Sequence, residues 1–466
     1  MKSAPFSTER VSPARETAVL AEAARRGAAY IQGISERRVW PSTEALRALE
    51  KLGGDLPEEP SSALEIVDLL DRLAAPATVG LGGGRYFGFV NGGVLPAALA
   101  ADWMAGAWGQ NAALRVMSPA AVALEDTALR WVAEVLGLPE SCGGALVTGA
   151  TMANFAGLAA ARHALLERAD WDVENDGLFV APPIKVIVGE EVHVSVIKAL
   201  GMLGLGRRRL RRVPVDSQGR MLLEMLPVLD KRTIVCLQAG NVNTGAFDPA
   251  REICRRAHAA GAWVHVDGAF GLWAAASPRY CHLTEGFGDA DSWSTDGHKW
   301  PNAGYDCGIV LVRDPRPLRA AMSIDAAYLS PGERREPAHY GPEMSRRARG
   351  VALWAALRSL GRGGLAELIG RTCGHARTFA ERLRGLGYEV LNEVVINQVL
   401  VSFGSPALTR RFIERVQQDG VCWCGITEWQ GRTAMRISVS SWATTAEDVE
   451  TAIAAIDRIA GECLQE

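Results

Sequence analysis

The chain has 466 residues, 48% of them hydrophobic and 22% charged, with a formal net charge of −3. This is the composition of an ordinary globular protein too long for one simple core. The near-zero charge gives no reason to expect nucleic acid or an anionic membrane surface as partner. No uncharged apolar run reaches the roughly 20 residues that span a bilayer. Nine scattered cysteines, an odd number, fit free thiols in a reducing compartment. The opening Met1-Lys-Ser-Ala-Pro-Phe lacks an apolar signal core, so a cytoplasmic location is expected.

In chain order, Glu16 to Gly33 and Ser42 to Leu52 carry apolar residues at helical spacing, with Pro41-Ser42-Thr43 marking a start. Residues 1–79 therefore read as a helical arm, too small for a domain and suited to packing on a partner subunit. Gly80 to Gly93 follows, rich in glycine with interleaved aromatics. It reads as backbone that comes close to a ligand, because glycine permits such approach. Ala101 to Asn111 reads as a buried wall. Ser118-Pro119 suits a helix cap and first turn, and Leu124, Ala128, Trp131, Val132, Val135 and Leu136 give that helix an apolar face.

Leu146 to Arg162 reads as a strand, a small-residue turn at Gly149-Ala150-Thr151 and an Ala-rich helix. Backbone N–H groups at such a turn bind an anion without a basic residue. Neither a P-loop nor a G-x-G-x-x-G fingerprint is present. Strand-like runs at Ile184–Val188, Arg212–Asp216, Thr233–Leu237 and Ala262–Asp267 then alternate with helices from about Glu191 and Pro249. Such alternation predicts an α/β fold with a mostly parallel sheet, whose ligands lie beyond the carboxyl ends of the strands.

His193, Asn241, Asp267 and Lys299 all sit at or just past such ends. Lys299 stands between His298 and Trp300, ahead of a further strand at Cys307–Val312. Desolvation there would make its amine nucleophilic toward an aldehyde. Arg313 to Gly350 reads as a mobile segment. Pro342 to Leu360 becomes helical and links to a smaller α+β unit with strands at Val399–Phe403, Gly420–Cys424 and Met435–Val439 and a helix over Ala446–Ile459. The expected division is 1–79, 80–345 and 346–466.

These residues meet the needs of a pyridoxal 5'-phosphate (PLP) site, namely an imine-forming lysine, an acid for the pyridine nitrogen, a flat group on the ring and an anion cradle. Lys299, Asp267, His193, and Ala150 with Thr151 are the respective candidates. The motifs Thr148-Gly-Ala-Thr-Met-Ala-Asn154, Glu191-Val-His193, His265-Val-Asp-Gly-Ala269 and Asp296-Gly-His-Lys-Trp300, in this order, resemble those of the group II PLP-dependent amino acid decarboxylases. Weaker matches are Tyr86-Phe-Gly-Phe89 and Gln110-Asn-Ala112.

The resemblance runs from about residue 80 to the C-terminus. It implies the fold type I architecture, a seven-stranded, mostly parallel sheet with a small C-terminal domain, and a homodimer with shared active sites. It makes Lys299 the internal aldimine lysine, Asp267 the pyridinium partner, Ala269 a residue under the ring, and His193 the stacking group that touches the substrate carboxylate. Ala150, Thr151 and His298 would lie at the phosphate.

Two departures stand out. Gly240-Asn-Val-Asn-Thr-Gly245 replaces the family's Gly-Thr-Thr turn, and Asn241 could act there as a donor to the cofactor. In this family a loop tyrosine protonates the quinonoid carbon after CO2 leaves, and phenylalanine in its place is associated with aldehyde formation. This chain offers Tyr340, the preferred candidate, and Tyr328. Decarboxylation of an L-amino acid to an amine is the expected reaction. Aldehyde synthase, aldolase, lyase or aminotransferase chemistry on the same fold is the alternative. Trp103, Trp108, Phe87 and Trp300 could line an apolar pocket for an aromatic substrate, and equally could be core.

Overall fold

The structure is a computed structural model and describes residues 13–324 and 334–465. The chain begins with helices α1 (Pro13–Gln32), α2 (Thr43–Ala48) and α3 (Ala63–Leu69). Ser42 caps α2 by accepting a hydrogen bond from Ala45 N at 3.2 Å. Ser62 and Glu65 form a reciprocal capping box on α3. A short strand β1 (Tyr86–Phe87) and helices α4 (Pro96–Trp108) and α5 (Pro119–Val135) follow. Ser118 precedes α5 as expected, but its hydroxyl donates to Asn111 O at 2.7 Å instead of capping the helix.

The large sheet contains β2 (Gly143–Val147), β3 (Lys185–Gly189), β4 (Arg211–Val213), β5 (Thr233–Gln238), β6 (Trp263–Asp267), β7 (Ser292–Asp296) and β8 (Gly308–Val312). Their spatial order is β2-β8-β7-β6-β5-β3-β4. Strand β8 runs antiparallel to both neighbours and the other pairs are parallel. The seven-stranded, mostly parallel sheet expected from the sequence is present.

Alternate residues of each strand enter different cores. Val186, Val188, Ile234, Val310 and Val312 face α6 (Ala150–Glu167), α8 (Val194–Met202) and Leu318 of α10 (Pro315–Met322). Ile187, Val235, Val264, Ile309 and Leu311 face α5 and α9 (Ala250–Ala259). A single turn, α7 (Val173–Asp176), closes the loop after α6. Because both faces are covered, the strands read as continuous apolar runs, which is why they were visible in the sequence.

Helix α11 (Arg349–Gly385) carries non-helical dihedrals at Gly361. Its first half packs Val351, Leu353 and Ala356 into the cores beside α4 and α5. Its far end packs Ala376, Phe379 and Leu383 under the second sheet. That sheet is built from β9 (Glu389–Val390), β10 (Gln398–Ser402), β11 (Trp423–Trp429) and β12 (Arg432–Ser438), covered by α12 (Pro406–Asp419) and α13 (Ala446–Gln465).

Its order is β1-β11-β12-β10-β9, so residues 86–87 belong to this smaller sheet although they precede the large one. The boundaries read at 79/80 and 345/346 are thus crossed twice, at 86–87 and within α11. The cause of the first crossing is apolar. The Tyr86 ring stacks on Trp423 at 5.0 Å and Phe87 is fully buried against Phe379.

Directly after Val312, where the composition suggested a mobile segment, the described residues form a capped helix. Asp314 caps α10, accepting from Arg316 N at 3.0 Å, and Leu318 is fully buried. Tyr328 lies outside the described residues.

Candidate active site

Three loops that leave the carboxyl ends of β3, β6 and β7 meet the start of α6. Strand β6 ends in Asp267, which is buried with 5% exposure. Its Oδ1 accepts from Ala269 N at 3.3 Å, and its Oδ2 lies 3.4 Å from both Ser195 Oγ and Asn154 Nδ2. All three contacts are at or beyond the long limit of a hydrogen bond. A buried carboxylate held so loosely calls for a short, charged donor.

His193 is the N-cap of α8. Its Nδ1 lies 2.7 Å from Ser195 Oγ and accepts from Ser195 N at 3.3 Å. That leaves the proton of the neutral ring on Nε2. Burial pulls the imidazole below its ordinary range. Asp267 opposes this, while Lys299 and Arg436 reinforce it. With Nδ1 accepting, the one Ser195 hydroxyl proton goes to the ring at 2.7 Å, and the same oxygen lies 3.4 Å from Asp267 Oδ2.

Behind them lies a second layer. Asn154 Oδ1 accepts from His265 Nε2 at 2.9 Å and from Ser294 Oγ at 2.5 Å, while its Nδ2 reaches Ser195 Oγ at 3.1 Å. His265 Nδ1 then accepts from Ser292 Oγ at 2.8 Å. Burial pushes the His265 imidazole down to about 3, so it stays neutral in one tautomer.

Strand β7 delivers Asp296 and, three residues on, Lys299. Lys299 Nζ pairs with Asp296 Oδ2 at 3.0 Å and lies 5.9 Å from the centre of the Phe270 ring. Trp300, next to Lys299 in sequence, is fully buried with its ring 6.5 Å from that of Phe270. His298 Nδ1 donates to Cys307 O at 3.2 Å, its ring stacks on Tyr305 at 4.5 Å, and its Nε2 faces Asp296 Oδ2 at 3.6 Å. Burial lowers the His298 imidazole, with Asp296 opposing. The turn ahead of α6 lies directly against this strand end. A side chain at Gly308 would put a Cβ 2.4 Å from the Gly149 backbone, so only glycine lets the two meet.

The structure thus brings together Lys299, His193, Asp267, Ala269, His298, Ala150 and Thr151 as read from the sequence. Asn241 and Tyr340 are arranged differently. Asn241 Oδ1 accepts from Asn243 N and Thr244 N, and its amide donates to Glu191 O at 3.4 Å, so the side chain shapes its own turn. Tyr340 packs in the core around α6 and α10, with the Arg335 guanidinium 5.3 Å over its ring. Arg335 binds Gly144 O, at the end of β2 remote from the start of α6. Among the described residues no hydrogen bond or ring contact links Tyr340 to Lys299, His193 or Asp267, and the expectation that it reaches them is not met within this chain.

The apolar pocket also differs. Phe87 and Trp300 are core, and Trp103 and Trp108 are largely exposed on α4. The glycine-rich stretch approaches the protein itself, since a Cβ at Gly92 would lie 2.1 Å from Lys299 O.

Sequence reasoning passed over Asn154, Ser195, Asp296 and Arg436. The first three lie inside or beside motifs already marked. Arg436, on β12, gave no local signal. It reaches Asn243 Oδ1 at 3.3 Å, and its Nε is buried without a hydrogen-bond partner. Burial pulls its guanidinium below the ordinary value and Tyr86 opposes this. Tyr86, Phe89 and Trp423 stack beside it at 5.0 and 5.4 Å.

The residues fit PLP. The loosely held Asp267 carboxylate suits a pyridinium N–H. The half-buried Thr151 hydroxyl, free of hydrogen bonds among the described residues, and the amino end of α6 suit a phosphate. Lys299 is the amine beside them.

Comparisons with known proteins agree with this geometry. The pyridoxal-dependent decarboxylase conserved domain matches residues 47–404. An aromatic-L-amino-acid decarboxylase of Drosophila lebanonensis is 30% identical over 384 residues, covering 76% of this chain and 92% of that protein. Among solved structures, Oryza sativa TDC with PLP and tryptamine superposes with a TM-score of 0.88 at 23% identity, covering 97% of this chain and 99% of that one. Rhodiola rosea 4-hydroxyphenylacetaldehyde synthase superposes with a TM-score of 0.83 at 20% identity, covering 97% and 99%. At these identities the two structures speak for the fold alone.

Proposed function

The chain belongs to the pyridoxal-dependent decarboxylase family and is a PLP-dependent amino acid carboxy-lyase, and from that premise we propose that Lys299, Asp267, His193 and Arg436 divide the work of one site. When bound, PLP supplies an aldehyde that condenses with amines and a ring that takes up the electron pair left by the departing carboxylate. Lys299 contributes the amine that anchors the cofactor and gives way to the substrate amine. Asp267 accepts a hydrogen bond from the ring nitrogen and holds a proton there. His193 offers a flat neutral face, its orientation set by Ser195, and an Nε2–H toward the substrate carboxylate. Arg436, whose Nε lacks a hydrogen-bond partner, pairs with that carboxylate. The observation that supports this reading is Ser195 Oγ, which lies 2.7 Å from His193 Nδ1 and 3.4 Å from Asp267 Oδ2 and so sets the ring and the carboxylate side by side.

We further propose an aromatic L-amino acid as substrate. Phe270 near Lys299, and the Tyr86–Trp423–Phe89 stack beside Arg436, support an apolar side-chain subsite. The relative named as an aromatic-L-amino-acid decarboxylase supports it too. Purified enzyme offered a panel of amino acids is expected to release CO2 and amine in equal amounts, fastest with aromatic substrates. Aldehyde with peroxide would favour the synthase alternative, and preference for an acidic substrate would overturn the aromatic reading.

A homodimer is proposed from α4, which leaves Trp103 (47%), Met104 (55%) and Trp108 (43%) exposed on one helix. Light scattering that shows only monomer at micromolar concentration would contradict it. A cytoplasmic location is our reading of nine free cysteines, seven of them buried. Recovery of the native protein from a secreted fraction would contradict that. No helix among the described residues is long and apolar enough to cross a membrane.

A further inference from the structure

Asp296 has no role in the chemistry above, yet it touches two of its parts. The residue ends β7, is 2% exposed, and is fixed by its own N–H to Ala269 O at 3.0 Å. Its Oδ1 accepts from Ala150 N at 2.7 Å, the first amide of the 18-residue helix α6. Gly149, the N-cap of α6, offers no side chain, so this amide is served by a carboxylate from another strand. The Oδ2 atom of the same carboxylate pairs with Lys299 Nζ at 3.0 Å and faces His298 Nε2 at 3.6 Å. One buried acid therefore sits on the end of the helix that suits the phosphate and also on the amine that suits the aldehyde.

We propose that Asp296 is an internal competitor for the cofactor's phosphate, a carboxylate that claims the amino end of α6 and thereby sets how tightly PLP is retained. The inference rests on the PLP reading of the site. A helix amino end stabilises negative charge, and a buried carboxylate satisfies part of that demand before any phosphate arrives. A second anion brought to the same place meets repulsion that little water is present to screen. An amide side chain of the same shape keeps an oxygen for Ala150 N and removes the charge. Asp296→Asn therefore separates charge from packing.

The test uses full-length apoenzyme and three ligands, with equilibrium binding read by calorimetry. PLP carries both phosphate and aldehyde. Pyridoxine 5'-phosphate carries the phosphate but cannot condense with Lys299. Pyridoxal carries the aldehyde alone. Asp296→Asn is expected to bind PLP and pyridoxine 5'-phosphate about tenfold more tightly than the wild type, the scale of one charged contact, with pyridoxal unchanged. Equal or weaker binding of pyridoxine 5'-phosphate by the variant would overturn the proposal. So would an equal gain for pyridoxal, which would assign the effect to Lys299 instead. Wild-type protein that binds none of the three would overturn the PLP reading itself, and this inference with it.

Discussion

At the scale of single residues, the site separates groups that touch substrate or cofactor from groups that hold them. In the proposed site Arg436 is of the first kind, and its pairing with a carboxylate would be made before the bond breaks. Losing it should therefore weaken binding more than it slows turnover. Arg436→Gln is expected to raise KM by about 10–100-fold, the scale of a hydrogen bond to a charged group, with a smaller change in kcat. Steady-state kinetics with the preferred amino acid decides this, and an unchanged KM would remove Arg436 from the site. His265 is of the second kind. Burial holds its imidazole at about 3, against an ordinary value of 6.5. A base depressed in the folded state contributes stability that is fully present above pH 6.5 and is lost as the pH falls toward 3. Each unit of that fall costs up to about 1.4 kcal/mol. Between pH 7.5 and pH 5 the Tm should drop, and His265→Gln, which has no proton to gain, should drop less. Equal drops in the two proteins would show that His265 does not report the effect.

At the scale of elements, the described residues just ahead of α11 are held by charge. Glu125, on the buried face of α5, pairs with Arg346 and, at 2.8 Å, with Arg335. Arg335 also reaches Asp126 at 2.7 Å and Gly144 O at 2.8 Å. Burial pulls the Arg346 guanidinium down to about 9, with Arg349 adding to the effect. Removing one member of such a pair strands the other in the core, which typically costs about 3–5 kcal/mol. Arg346→Met should destabilise the protein on that scale in chemical denaturation, and Glu125→Leu added to it should recover part of the loss. A single-variant loss below about 1 kcal/mol would mean that Arg335 alone neutralises Glu125. An apolar period cannot reveal such an element. The sequence pattern of α5 marked Leu124 and Trp131 for its inner face, while the structure buries Glu125 there, because the partners that make this tolerable lie over 200 residues away.

At the scale of the whole molecule, the large domain was legible because both faces of its sheet are covered, which turns strands into apolar runs ended by turn residues. The ends of such runs located His193 and Asp267, while Lys299, which follows the polar strand β7, was found from its own motif. The smaller domain was read less well. Helix α12 was missed, β11 was placed too early, and β1 was hidden in a glycine-rich stretch whose Tyr86 and Phe87 pair with residues over 300 positions away. Arg436 was hidden for the same reason, as contacts between distant segments leave no local pattern. The central proposal is that Lys299 anchors PLP covalently, and reduction of the loaded enzyme with borohydride followed by peptide mass mapping tests this most directly. The account predicts a single pyridoxyl adduct, on Lys299, lost in Lys299→Ala. An adduct on another lysine, or none on protein shown to bind PLP, would contradict it.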